Sequence, residues 1–588
     1  MGSMSEKVKI LLRFSRYLWP YRWRVALSFA LLGIGSLLGM VNPIITKVMI
    51  DNVYPNKDIR LFLLLIGAGI GLYVLKTTLG ICQNYLNMYL NRRINFDLRI
   101  KFYEKLQSLS LDFFSRRQTG EHMYRATNDV DNVVGMITNT IPTLIITSLE
   151  FILLLAITLY LNWRLTIMAL SLVPFLYLNT HFSSCKLRDL NRINQRQLSD
   201  INSILHQGIS GARIIKAFRR EKHEVLRYYK KLHENLHLQF KTWRVSTFYG
   251  TLGGVIATMG TSWLVWFGWY QVLKGNMSLG SLMAVTVYIF RLYGPLQNYS
   301  KLYQSVLVTL VSAERILETL DVEPTVRNTP GAKKLSHVRG NIKFSHVSFE
   351  YEGGKPALKD ITFDIPAGGL VAIVGESGSG KTTLINLIAR LYDPQKGRIL
   401  IDNYPLKMIS MASLRRCVSI APQEPFLFGR TIMENIKYGN RDATEEDVIK
   451  AAKLAEAHEF ILNLPNGYYT DVGEGGNRLS RGQRQRLSIA RAIIADPKIL
   501  ILDEATSSLD AEMERRIFSN LLLFYRDKTI IIVTHRFSNI ISADVILVLQ
   551  DGRLVEMGNH NELVRNSSVY YSLYKLQLLK EQLGEDGL

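Results

Sequence analysis

Three cysteines in 588 residues, Cys82, Cys185 and Cys417, stand far apart and without the spacing of a metal or redox pair. A disulfide scaffold, a zinc module and a Cys-x-x-Cys redox site are thereby excluded. Acidic residues are also short: 50 Asp and Glu face 71 Lys and Arg, leaving +21 at neutral pH. Such an excess suits either nucleic-acid binding or a membrane protein with basic cytoplasmic loops, and the position of the charge separates the two. Charge is missing altogether from Val25 to Thr46. That run of about 22 residues would make about 33 Å of helix, enough to cross a hydrocarbon core. It is too long for a signal-peptide core and lacks a cleavage site, so it is expected to be retained. Met1 to Ser3, ahead of a second methionine, reads as an expression remnant and is set aside.

Five further runs are nearly free of charge. Leu61–Leu90 carries only Lys76, Val133–Leu161 only Glu150, Leu165–Cys185 only His181, and Val245–Leu273 nothing; Leu279–Leu310 is interrupted by Arg291 and Lys301. Six such runs within about 300 residues exceed what a soluble core would hold, so residues 1–320 are expected to form a membrane domain of six helices (25–46, 61–90, 133–161, 165–185, 245–273 and 279–310). The connections after the first, third and fifth runs are short. Those after the second and fourth are long and basic, with Arg92, Arg93, Arg99 and Lys101 in one and Lys186, Arg188, Arg192 and Arg196 in the other. The positive-inside bias puts these loops, both termini and everything after residue 320 in the cytoplasm, and much of the basic excess is explained without nucleic acid. Apolar residues recur at three and four along both loops, which predicts helical extensions of the membrane helices, with breaks near 118–121 and 209–212.

Composition changes after Leu320. Residues 321–337 read as a linker, and short strand patterns then alternate with helical ones over 338–588, an α/β layer structure. The strand pattern Leu370–Val374 runs directly into Gly375-Glu376-Ser377-Gly378-Ser379-Gly380-Lys381-Thr382, followed by helical Thr383–Leu391. This is a P-loop in its required strand–loop–helix setting, whose backbone N–H groups cradle phosphates while Lys381 reaches the β and γ positions and Thr382 ligates Mg²⁺. The apolar strand Lys498–Leu502 ends in Asp503 and Glu504: the first suits the Mg²⁺ shell and the second can polarise an attacking water. A second strand, Thr529–Val533, ends at Thr534 and His535, the latter a candidate for a γ-phosphate contact.

About twenty residues ahead of Asp503 stands Leu479-Ser480-Arg481-Gly482-Gln483. It resembles the signature motif of ATP-binding cassette (ABC) proteins, and with the six preceding runs the whole chain resembles an ABC exporter half-transporter. The implied fold is an α-helical membrane domain, six transmembrane helices with long cytoplasmic extensions, fused to an α/β P-loop nucleotide-binding domain. The resemblance further implies an adenine-stacking role for Tyr351, catalytic and Mg²⁺-linking roles for Gln423, a dimer-interface role for Ser508 and Asp510, and a segment Asp471–Glu474 that meets the cytoplasmic hairpins near Gly120 and Gly211. ATP would lie between the P-loop residues, Thr383, Asp503, Gln423 and Tyr351 of one subunit and Ser480, Gly482 and Gln483 of another. A homodimer is expected, with a heterodimer as the alternative. The one departure is Arg481, where the family has glycine.

The expected activity is ATP-driven export of an amphipathic or hydrophobic molecule (drug, lipid or peptide) by alternating access, with an ATP-gated channel as the reading from another class. Lys76, Glu150 and Arg291 lie at similar depth inside their runs, where charge usually faces a cavity or another charge. They are put forward as pathway residues, Glu150 as a counter-ion to Arg291; an ion pair with no substrate contact competes with that reading. Trp263, Trp266, Trp269 and Tyr270 read as an interfacial aromatic belt.

Overall fold

The structure is a computed structural model that describes residues 4–115, 119–335, 337–351, 354, 356–524, 527–534, 536, 540–566 and 568–583. It falls into two units, Met1–Gln107 with Thr119–Asp321, and Ser108–Gln118 with Val322–Leu588.

The first unit is helical. Helices Ile59–Ser108, Val173–Ser210 and Glu221–Leu273 have 50, 38 and 53 residues, well beyond the ~20 that a bilayer core requires, so each continues past its apolar run. Val173–Ser210 and Glu221–Leu273 pack along one another, joined where Asn235 Nδ2 donates to Asn194 Oδ1 at 2.8 Å and Asn179 Nδ2 donates to Tyr249 O at 3.1 Å. Such amide contacts are the usual polar links between helices that share no water. Helix Ile141–Leu170 breaks at Asn162 (φ −162°, ψ 100°), whose Oδ1 accepts the Leu165 N–H at 3.1 Å and so restarts the helix. Tyr288 and Leu292 of helix Leu279–Asp321 are buried against Met40 and Leu154.

Among the described residues, three helical stretches are long and apolar enough to cross a membrane by length and composition: Leu12–Asn56, Ile59–Ser108 and Thr119–Leu170. The runs at 165–185, 245–273 and 279–310, read above as membrane helices, are diluted. Ser, Thr, Asn and His thin the first, Gly, Thr and Trp the second, and Arg291 and Lys301 the third.

The second unit is α/β. A six-stranded sheet has the order β10-β9-β3-β8-β7-β6, with β3 at Leu370–Gly375, β6 at Val418–Ala421, β7 at Ile499–Asp503, β8 at Thr529–Val533, β9 at Val545–Gln550 and β10 at Arg553–Gly558. All its pairs are parallel except β9–β10. β3, β7 and β8 are buried along their whole length, as expected of parallel strands covered on both faces. The side-chain period of two divides β3 cleanly: Leu370, Ala372 and Val374 join one hydrophobic cluster, Val371 and Ile373 the other. A smaller antiparallel sheet, order β2-β1-β4-β5, pairs Ile342–Glu350 (β1) with Pro356–Ile365 (β2) and with Lys396–Ile401 (β4), while Tyr404–Pro405 (β5) closes its edge.

Two features depart from a contiguous division of the chain. The turn segment Ser108–Gln118, assigned by sequence to the first domain, belongs with the second unit. There Ser110 Oγ accepts the Val326 N–H at 3.0 Å, and Asp112 Oδ2 accepts the Thr325 hydroxyl at 3.3 Å. The short helix on this turn is Leu111–Ser115, ahead of the break read at 118–121, and Gly120 lies inside the next helix, Thr119–Tyr124. The linker is also pinned: Arg390, 1% exposed, donates to the carbonyls of Arg327, Leu406 and Ile409 and pairs with Asp393.

Candidate nucleotide-binding site

Register brings three strand ends to one edge of the large sheet. Asp503 of β7 and Ile373 of β3 both pair with Val533 of β8, and β3 leaves the sheet at Gly375. This carboxyl edge of a parallel sheet is where open α/β folds hold ligands. Glycine is required at two positions of the loop. At Gly375 (φ 153°) a Cβ would stand 2.3 Å from Leu549 O and 2.6 Å from Ser379 Oγ, and at Gly380 (φ 105°) one would stand 2.8 Å from Ala357 O. The loop delivers the chain into helix Lys381–Ile388, whose first N–H groups face it. Glu376, Ser377 and Gly378 are exposed, whereas Ser379 is buried and its Oγ has no hydrogen-bond partner in the fold.

Lys381 is 6% exposed; its Nζ donates to Gly375 O at 2.9 Å and to Glu376 O at 2.8 Å. Burial pulls its pKa below the ordinary lysine value, against the opposing fields of Glu504 and Asp503. The Asp503 carboxyl is pushed up to about 6, first by burial and then by Glu504, with Lys381 pulling the other way. Glu504 adopts a left-handed backbone (φ 45°) held by its N–H on Val533 O at 2.9 Å. Strain at a non-glycine residue is typical of side chains aimed for function. Its Oε2 accepts Gln423 Nε2 at 2.5 Å, so the end of β6 and the end of β7 meet. A divalent cation fits this donor set: Thr382 stands exposed on the first helical turn, and a cation would relieve the repulsion between two adjacent acids.

Tyr351 shares a 3.2 Å hydrogen bond with the hydroxyl of Thr383 and lies edge-on to Phe349 and Tyr392, with 36% of its surface open. Tyr392 is itself pushed up to about 12, mainly by burial, then by Tyr351 and Asp112.

The remaining residues form a second group. Ser480 is the N-cap of helix Arg481–Ile493 in a reciprocal box: its Oγ accepts the Gln483 N–H at 3.2 Å, and Gln483 Oε1 accepts the Ser480 N–H at 2.9 Å. The Gln483 side chain, assigned to nucleotide from the motif, therefore has a structural partner. A Cβ at Gly482 would sit 3.3 Å from Ser508 O, and Asp510 Oδ1 caps the next helix through the Met513 N–H at 2.7 Å. Arg481 is exposed. Among the described residues no side-chain hydrogen bond or ion pair joins Ser480, Gly482 or Gln483 to the P-loop. His535 lies outside the described residues.

Residues that the motif reading missed tie this second group together. Gln485, fully buried, accepts the Ser508 N–H at 3.0 Å and donates to Ser507 Oγ at 3.2 Å. Glu514, 2% exposed, accepts Thr506 Oγ1 at 2.7 Å and Arg536 Nη1 at 2.5 Å, while Arg536 Nη2 reaches Leu509 O at 3.0 Å. A signal was there: Glu514 shares one helical face with Ile517, Phe518 and Leu521, an acid at the head of an i, i+3, i+4, i+7 apolar stripe. In the first unit, Lys76 and Arg291 both come against Gly39, and among the described residues Glu150 makes no ion pair with either. The counter-ion expected of Glu150 is thus not seen; Arg291 donates to the Gly39 carbonyl instead.

Comparison with known proteins agrees with this geometry. Residues 25–296 match the ABC transporter transmembrane region and residues 358–507 the ABC transporter family. The ATP-dependent lipid A-core flippase of Syntrophus aciditrophicus (strain SB) is 34% identical over 587 residues, covering 99% of this chain and 97% of the relative. A putative multidrug export ATP-binding/permease protein of Staphylococcus aureus (strain NCTC 8325 / PS 47) is 36% identical over 578 residues, covering 96% and 100%. The structure of a bacterial Atm1-family ABC exporter with ATP bound superposes with a TM-score of 0.80 at 28% identity, covering 95% of this chain and 98% of the other. The chain belongs to the ABC transporter family, as a multi-pass membrane exporter half-transporter in which a helical transmembrane domain is fused to one C-terminal ATP-binding domain.

Proposed function

We propose that this exporter hydrolyses ATP with Mg²⁺ in two equivalent sites of a homodimer and thereby moves an amphipathic molecule, a lipid or a drug, out of the cytoplasm. Residues 1–320 carry the pathway, 321–337 the connection and 338–588 the ATPase. The observation that carries the reading is the division of the site. Lys381, Thr382, Asp503, Glu504, Gln423 and Tyr351 gather at the carboxyl edge of the sheet, while Ser480, Gly482, Ser508 and Asp510 form a separate body tied by Gln485. Two half-sites on one chain that share no side-chain bond suit a site completed by a second copy. The names of the flippase and of the multidrug export protein support lipid and drug substrates. The basic loops support a cytoplasmic ATPase domain and cytoplasmic termini in a cell membrane.

Within each site Lys381 holds the phosphate chain from the P-loop, Thr382 and Asp503 hold Mg²⁺ with Gln423 beside them, and Tyr351 offers its ring to the base. Bound Mg²⁺ supplies charge neutralisation on the phosphate oxygens. Glu504 orients and deprotonates the attacking water, and His535 is assigned to the γ-phosphate from its place after β8. Ser480 and Gly482 of the second copy complete the γ-phosphate shell. Only the closed dimer makes these contacts, and that differential affinity is what lets ATP drive a change of access.

Lys381→Ala is expected to weaken ATP binding by at least about ten-fold, measured with a fluorescent ATP analogue on the purified transporter, because a charge-assisted contact is lost. Unchanged affinity contradicts the phosphate role of Lys381. In inside-out vesicles, an amphipathic dye is expected to accumulate only with ATP and without ion conductance. An ATP-dependent current in its place identifies a gated channel and overturns export.

A further inference from the structure

The membrane helix Arg22–Val48 contains Pro43. Proline has no N–H, so the carbonyl four residues earlier, that of Gly39, loses its helical partner and needs another donor. That donor is Arg291, whose Nη1 hydrogen-bonds Gly39 O from helix Leu279–Asp321. Next to it the Tyr288 hydroxyl donates to Met40 O, keeping the two helices in register. Gly39 has no side chain, and the space a methyl would take lies 3.1 Å from Lys76 Nζ and 3.5 Å from Arg291 Nη1. Two cations, from helices Ile59–Ser108 and Leu279–Asp321, thus converge on one notch in a third helix.

No acid balances them. Among the described residues neither Lys76 nor Arg291 has an ion-pair partner, and the group that anchors Arg291 is a neutral carbonyl. Two like charges a few ångström apart inside apolar spans repel strongly and are costly to hold there. A guanidinium with most of its N–H groups still available beside an ammonium suits the oxyanions of a phosphate. On the helix that carries Lys76, Ile70, Tyr73, Val74 and Leu75 are exposed, an apolar surface on the same element as the charge.

We propose that the Gly39–Lys76–Arg291 notch is the headgroup subsite for an amphipathic substrate bearing a phosphate monoester or similar oxyanion. The proposal rests on the export reading and narrows its substrate to anionic amphipaths.

The test uses the full-length transporter in phosphatidylcholine nanodiscs. The probes are phosphatidic acid, the diacylglycerol with the same acyl chains, and soluble glycerol 3-phosphate. Wild-type protein is expected to half-saturate with phosphatidic acid at a concentration at least about ten-fold below that for diacylglycerol, a difference of about 1.4 kcal/mol. K76Q/R291Q abolishes that preference. K76R/R291K keeps it, which separates charge from folding, and K76E/R291E transfers the preference to a cationic amphipath of equal chain length. Equal binding of phosphatidic acid and diacylglycerol by wild type, or a preference that survives K76Q/R291Q, overturns the proposal. Competition by glycerol 3-phosphate as strong as that by phosphatidic acid overturns its amphipathic part. If ATP-driven dye uptake proceeds while the two lipids bind equally, this inference fails and the export reading stands. If the anionic preference holds but no amphipath is moved by ATP, the export reading fails instead.

Discussion

Replacing Glu504 with glutamine is expected to lower ATP turnover by roughly 10²–10⁴-fold while nucleotide binding survives, the range over which a positioned general base usually contributes. The substitution is nearly isosteric, and its amide oxygen can still accept the Gln423 Nε2 hydrogen bond that Glu504 Oε2 takes at 2.5 Å. What disappears is the negative charge able to take a proton from water. Removing that charge also removes one of the two influences that raise Asp503, leaving burial alone to oppose its ionisation. The variant should therefore hold Mg²⁺ and ATP at least as tightly as wild type and accumulate as a nucleotide-trapped dimer. Phosphate release under saturating ATP, paired with a binding isotherm, tests both halves. Turnover near that of wild type would remove Glu504 from the role of base.

Glu514→Ala is expected to destabilise the ATP-binding unit by about 3–5 kcal/mol, the usual effect of removing one member of a buried ion pair. The carboxylate is enclosed, and its loss leaves Arg536 Nη1 and Thr506 Oγ1 without the acceptor they share. Arg536 also holds Leu509 O, so the 506–510 turn loosens with it. Glu514→Gln keeps the volume and one acceptor, and should lose less. The unfolding midpoint of the purified transporter, followed by near-ultraviolet circular dichroism, separates the two variants. A midpoint unchanged in Glu514→Ala would show that the network contributes no stability.

Legibility from the sequence followed locality. The P-loop, the β7 acids and the capped signature helix are each built from residues close along the chain, so spacing alone located them. The apolar runs located the helices of the first unit but not their ends, because the extensions past residues 90, 185 and 221 are held by partners such as Asn194 and Asn235, 41 residues apart in sequence. Glu514 and Arg536 are separated by 22 residues and Lys76 and Arg291 meet through Gly39, so no motif joins either pair. Gln483 was read as a ligand because the motif names its position; the cap it makes with Ser480 is a local rule that was equally readable, since serine followed three residues later by glutamine is a capping box. Glu150 was paired with Arg291 on depth alone, which ignores where around each helix the side chains point.

The eleven-residue turn Ser108–Gln118 folds with the ATPase half although both of its ends run into the helical half. Inheritance of this protein is therefore not modular at a single seam. A chimaera that joins one relative's first 321 residues to another's remainder would bring a foreign Ser110 and Asp112 against its own Val326 and Thr325. Grafts that exchange the turn together with the C-terminal half should recover activity that simple head-to-tail splices lose, and substitutions on either side of those two contacts should drift in concert among descendants.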